Sequence, residues 1–120
     1  MVFSTESLIA SRMRTAELRN SIRVLKHNID KTRFIVEVDA IKQVDGNYGK
    51  NAEERDRFLK SAINESSTFT SLEDELLSLQ NALELEEAKI ESLRDLRRES
   101  EMILKEKLID SNLSLQEKEF

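Results

Sequence analysis

Residues 71–109 read SLEDELLSLQNALELEEAKIESLRDLRRESEMILKEKLI. Leu72, Leu76, Leu79, Leu83, Ile90, Leu93 and Leu104 recur at steps of three, four and seven residues or their multiples. That spacing predicts a long amphipathic helix with a coiled-coil seam. Neither Gly nor Pro interrupts it. Such a helix would be roughly 57 Å long at 1.5 Å per residue, and it cannot bury its stripe against itself. It requires a partner helix, from the same chain or a second one.

Working back from this stretch, Glu65 to Ser71 forms a polar connector with one apolar anchor, Phe69. Ser71 with Asp74, or Thr70 with Glu73, can cap the long helix. Before the connector, Asn51 reads as an N-cap with Glu54 at the capping-box position. A short helix then runs over 51–64, with Phe58, Leu59, Ala62 and Ile63 in a one-sided patch. Upstream again lies the one clear break, Val44-Asp45-Gly46-Asn47-Tyr48-Gly49-Lys50, which holds both glycines of the chain. Gly tolerates positive φ, and Asp and Asn tolerate it better than most, so this is turn chemistry. Gly46 suits the C′ position that closes a helix.

The first 44 residues predict another long helix from about Thr5, capped by Ser4 or Thr5. Leu8, Ser11, Thr15, Leu18, Ile22, Leu25, Ile29, Thr32 and Val36 share one seven-residue grid. Three of those nine are Ser or Thr, so this seam is weaker than that of the last helix. Ile9, Met13 and Ala16 lie beside it and are expected to widen it. Residues 33–41 are rich in β-branched side chains and alternate like a strand, but no second strand-like run offers a partner. They are read as helix, with Phe34, Val38 and Ile41 as a second stripe, and the short helix is expected to dock there or on a second subunit. In the last helix, Glu86, Arg97, Ser100 and Lys107 break the seven-residue grid. An eleven-residue spacing, Leu79 to Ile90 and Ala82 to Leu93 to Leu104, absorbs some of these breaks.

The fold expected is all-α: a long antiparallel helical hairpin, coiled-coil-like, with a short third helix near the bend. Helices are placed at about 5–44, 51–64 and 71–109 in a single domain, 1–110, followed by a frayed or disordered tail, 111–120. Seams on two such helices exceed what one hairpin covers, so a homo-oligomeric bundle, a dimer first of all, is expected.

Composition agrees: of 120 residues, 36% are charged and 38% hydrophobic, and Pro, Trp and Cys are absent. Without Cys there are no disulfides, thiolate metal sites or cysteine nucleophiles. No basic, apolar leader opens the chain and no run approaches the roughly 20 apolar residues of a membrane span. A cytoplasmic protein without membrane association is the expectation. Charge is uneven. Residues 1–33 carry seven Lys or Arg against three Asp or Glu, and residues 51–120 carry ten against eighteen. Opposite signs suit two arms that attract each other.

Catalytic and cofactor chemistry finds little support. His27, the one histidine, sits beside Lys26 and near Arg23 and Lys31, and reads as an exposed residue of a basic face. Carboxylate pairs such as Glu73–Glu75, Glu84–Glu87 and Glu87–Glu91 read as solvated faces, since a di-metal bundle needs Glu-x-x-His and none occurs. Gly46 to Lys50 lacks the spacing of a phosphate loop. Asp45-Gly46-Asn47 lacks the later ligands of a calcium loop. No enzyme activity, metal or cofactor is expected. Arg12, Arg19, Arg23, Lys26 and Arg33, at spacings of three, four or seven, could track phosphates. No aromatics interleave with them, so a solvated or arm-paired face is the simpler account.

Gly49-Lys50-Asn51-Ala52-Glu53-Glu54-Arg55 resembles the G-K-N-x-x-E-R stretch of short helical coiled-coil proteins of phage and prophage type. The likeness covers about residues 34–105. It implies a phage-like origin and suggests an inhibitor or adaptor acting on a host or replication protein, in the host cytoplasm. The function expected is therefore a non-enzymatic protein–protein interaction module, with Lys50, Asn51, Arg55 and Phe58 as candidate partner-binding residues. The alternative is a nucleic-acid-binding accessory of recombination or replication that uses the Arg12–Arg33 face.

Overall fold

The computed structural model describes the backbone of residues 3–119 and the side chains of residues 3–112. It is all-α, with three helices: α1 (Thr5–Gln43), α2 (Ala52–Glu65) and α3 (Ser67–Glu119). No strand occurs among the described residues, and 33–41 lies within α1. The absence of a partner strand decides that segment, because β-branched residues still form helix where packing supports it.

Packing divides the chain into two compact units. The first comprises Met1–Ala16 with Glu84–Phe120, the second Glu17–Leu83. In each, α1 packs on α3. In the first unit Leu8 forms a core with Ile90 and Leu93, covered by Phe3 and Leu96. Farther along α1, Arg14 Nε lies 3.4 Å from Glu86 Oε2. Partners fall in number on α3 as they rise on α1, so the pair is antiparallel. In the second unit Leu25, Ile29 and Phe69 form the core, with Ile63, Leu72, Leu76 and Leu79 packed against it.

The α1 grid is the buried face as predicted: all nine positions from Leu8 to Val36 are buried or half-buried. On α3 the 4-3 spacing runs unbroken from Leu72 to Leu93, because Glu86 is itself buried in the seam. Arg14, mostly solvated, supplies the countercharge that lets a carboxylate occupy this place. The eleven-residue spacing is therefore not needed, and its last member, Leu104, is 62% exposed. Ile9 and Met13 are exposed too and do not widen the α1 stripe.

Helix ends differ from expectation at three points. First, α1 closes on Asp45 rather than on Gly46. Asp45 takes the C′ place at φ 53°, and its N–H donates to Lys42 O, while Gly46 follows at φ 81° and donates to Ile41 O. This pair of bonds is a Schellman closure. Second, the connector shrinks to Ser66 alone. Its N–H donates to Ile63 O and ends α2, while its Oγ and O accept from Phe69 and Thr70 N–H and start α3. Third, α3 runs to Glu119 in place of a tail after 110, with Phe120 outside the described residues.

Of the expected second stripe, Phe34 is 68% exposed and does not receive α2, whereas Val38 and Ile41 are half-buried. Instead α2 turns Ile63 onto the Leu25–Ile29–Phe69 core.

Candidate functional site

The corner from Tyr48 to Phe58, in the second unit, was the foremost partner-binding candidate from sequence. Asn51 Oδ1 accepts from Glu54 N–H at 2.9 Å, the expected cap. Glu54 returns the bond one residue farther back than a capping box would, its Oε2 accepting from Lys50 N–H at 2.8 Å. Arg55 Nε donates to Gly49 O at 3.2 Å, and its guanidinium lies 5.8 Å from the centre of the Tyr48 ring. Tyr48 in turn packs on Phe58, ring centres 5.9 Å apart. A Cβ on Gly49 would lie 2.8 Å from Arg55 N, closer than side-chain carbons approach backbone. Gly49, Asn51, Glu54 and Arg55 thus each have a local task in starting α2, whereas the Lys50 side chain is exposed.

The basic stripe of α1 is divided between the units. Arg12 belongs to the first and stands exposed; Arg19, Arg23, Lys26 and Arg33 belong to the second. Arg23 donates to Asn20 Oδ1 at 2.7 Å, and Arg19 is also engaged within the chain. Arg33 places its guanidinium 5.5 Å from the centre of the Phe69 ring, a cation–π contact. His27 is exposed, beside Lys31, Phe34 and Ile35.

A cleft at the three-helix junction of the second unit was not foreseen. Its volume is about 470 Å³. Leu59 and Ile63 of α2 and Phe69 of α3 supply apolar lining, and Phe69, 2% exposed, is the deepest. Charged lining comes from Arg33 and Glu37 of α1, Asp56 and Lys60 of α2, and Glu73 of α3. Lys60 and Asp56 neutralise each other at 2.9 Å. An apolar recess with a polar surround is the form in which an anchor side chain of a partner is held. One turn of α2 separates Leu59 from Ile63, and both flank a connector with a single large apolar residue. That pattern was the available signal.

Among the described residues no group of three or more His, Asp or Glu could hold a metal ion, and no helix is long and apolar enough to cross a membrane. Comparison with protein-family models, curated proteins and solved structures finds no match for this chain.

Proposed function

We propose that the chain is a non-enzymatic protein–protein interaction module whose partner docks at the three-helix junction. The supporting observation is the Leu59–Ile63–Phe69 recess within its charged surround. The likeness of the Gly49–Arg55 stretch to phage-type proteins favours an inhibitor or adaptor role on a host or replication protein. The corner itself serves the start of α2 in this proposal and leaves binding to the neighbouring cleft.

Crosslinking in cells followed by mass spectrometry tests it with two variants whose folding is checked by circular dichroism. Leu59→Asp should lose the crosslinked partner, and Lys50→Ala should retain it. Loss with Lys50→Ala and retention with Leu59→Asp would move the site to the corner and refute the junction.

Self-association is a second proposal, carried by a separate observation. Met102, Ile103, Leu104, Leu108 and Ile109 of α3 are all 48–63% exposed within one eight-residue span. Monomeric proteins seldom leave such a patch uncovered. Light scattering should give about twice the 13.9 kDa of one chain. A strict monomer at micromolar concentration would exclude it.

A further inference from the structure

The junction cleft does not end at Phe69. A second recess of about 430 Å³ continues along α1 and α3 and is lined by Ile29, Arg33, Glu73, Asp74, Leu76, Leu77 and Gln80. Arg33 and Glu73 line both recesses, so the two adjoin at these side chains and together make a groove within the second unit. Apolar positions occur along all of it, from Leu59 and Ile63 through Phe69 to Leu76 and Leu77. Leu77, which the seam spacing of α3 passes by, is 58% exposed.

The charges of the groove do not cancel. Lys60 is taken by Asp56, while Arg33 lies over the Phe69 ring and keeps its positive charge. Glu37, Glu73 and Asp74 remain, and among the described residues none of the three has an ion-pair or hydrogen-bond partner. Glu37 and Glu73 stand on the two opposing helices that wall the groove. Three carboxylates thus stand against the one guanidinium of Arg33, and the result is an apolar floor with an acidic surround.

We propose, resting on the interaction function above, that this groove takes a basic amphipathic helix of a partner protein. Its apolar face would lie on Leu59, Ile63 and Leu77, and its Lys or Arg residues would meet Glu37, Glu73 and Asp74. This is the helix-in-groove mode of recognition, in which apolar anchors supply affinity and flanking charges fix orientation and partner choice.

The probe is a fluorescent amphipathic peptide of about 16 residues, with Leu at helical spacing and Lys on both flanks, titrated into the intact chain. Its counterpart carries Glu in place of every Lys. Anisotropy should show the Lys peptide binding at least about tenfold more tightly than the Glu peptide. Glu37→Lys and Glu73→Lys should each weaken it about tenfold, and Leu77→Asp likewise. Glu84→Lys, which changes net charge equally at an exposed site outside the groove, should change it less than about twofold.

Equal weakening by Glu84→Lys and Glu73→Lys would reduce the effect to overall charge and overturn the proposal. Equal affinity for the two peptides would overturn it also. So would a dimer that Glu73→Lys and Leu77→Asp both dissociate, since a second copy would then fill the groove. If the cellular partner is still lost with Leu59→Asp while the peptides are not distinguished, the interaction function stands and the basic helix falls.

Discussion

Ser11 is the most buried polar residue of the first unit, 1% exposed, and its Oγ has no hydrogen-bond partner among the described residues. A buried unsatisfied hydroxyl is a net cost, so Ser11→Ala should raise stability by about 1 kcal/mol. A shift of the urea midpoint to higher concentration at constant slope would show it, and a lower midpoint would mean that the hydroxyl has an unseen partner. The corner gives the opposite sign. Asn51→Ala removes the bond to Glu54 N–H and should cost about 0.5–2 kcal/mol, with Asn51→Asp restoring most of it. Gly49→Ala should cost about 1–3 kcal/mol, because the new carbon meets backbone of α2 that cannot move aside. The cap was legible in sequence because Asn and Glu three residues apart have a fixed geometric use. The need for Gly at 49 was not. It arises from the approach of Arg55 N, which a turn signal does not specify. Nor did the sequence reveal that Asp45 would take positive φ and Gly46 follow it.

On the element scale, α3 separates into a buried stretch and an exposed one. Ile90 is 9% exposed in the core with Leu8 and Leu93, and Leu104 is 62% exposed. Ile90→Ala should cost about 2–5 kcal/mol, read from thermal or urea unfolding. Leu104→Ala should cost under about 0.5 kcal/mol at dilutions where the chain is monomeric and more at concentrations where the proposed dimer covers it. A cost that stays small at every concentration would count against self-association through this part of α3. The seam from Leu72 to Leu93 could be read from spacing alone, since a helix has only one face that recurs at three and four. Where α3 begins could not. Residues 66–71 offer several cap-competent side chains in succession, and local chemistry scarcely distinguishes them. Burial of Phe69 against Leu25 and Ile29 makes the choice, and it favours Ser66 over Ser71. The junction cleft was illegible for a similar reason. Phe58 and Leu59 are adjacent and equally apolar, and only the packing of α2 turns Phe58 toward Tyr48 and leaves Leu59 in the recess.

For the whole molecule, the distribution of charge bears on nucleic-acid binding. The chain carries a net charge of −5, so it repels polyphosphate unless a basic face is free to offset this. Of the five residues of the α1 stripe, Arg23 and Arg33 keep their charge but are held by Asn20 and by the Phe69 ring, contacts a phosphate would have to replace, and Arg19 is engaged elsewhere within the chain. Arg12 and Lys26 remain exposed, in different units. Two phosphate contacts correspond to a salt slope of about −2, far below that of proteins making 6–10 contacts. Neither duplex nor single-stranded DNA should therefore form a measurable complex at about 200 mM salt, and any association at about 50 mM should be independent of sequence. Anisotropy of labelled DNA at these two salt concentrations measures this directly. A complex that survives the higher salt, with a slope near −5 that Arg23→Glu and Lys26→Glu abolish, would show all five residues turned to phosphates. In that event the exposed face of α1 would displace the junction cleft as the working surface of the protein.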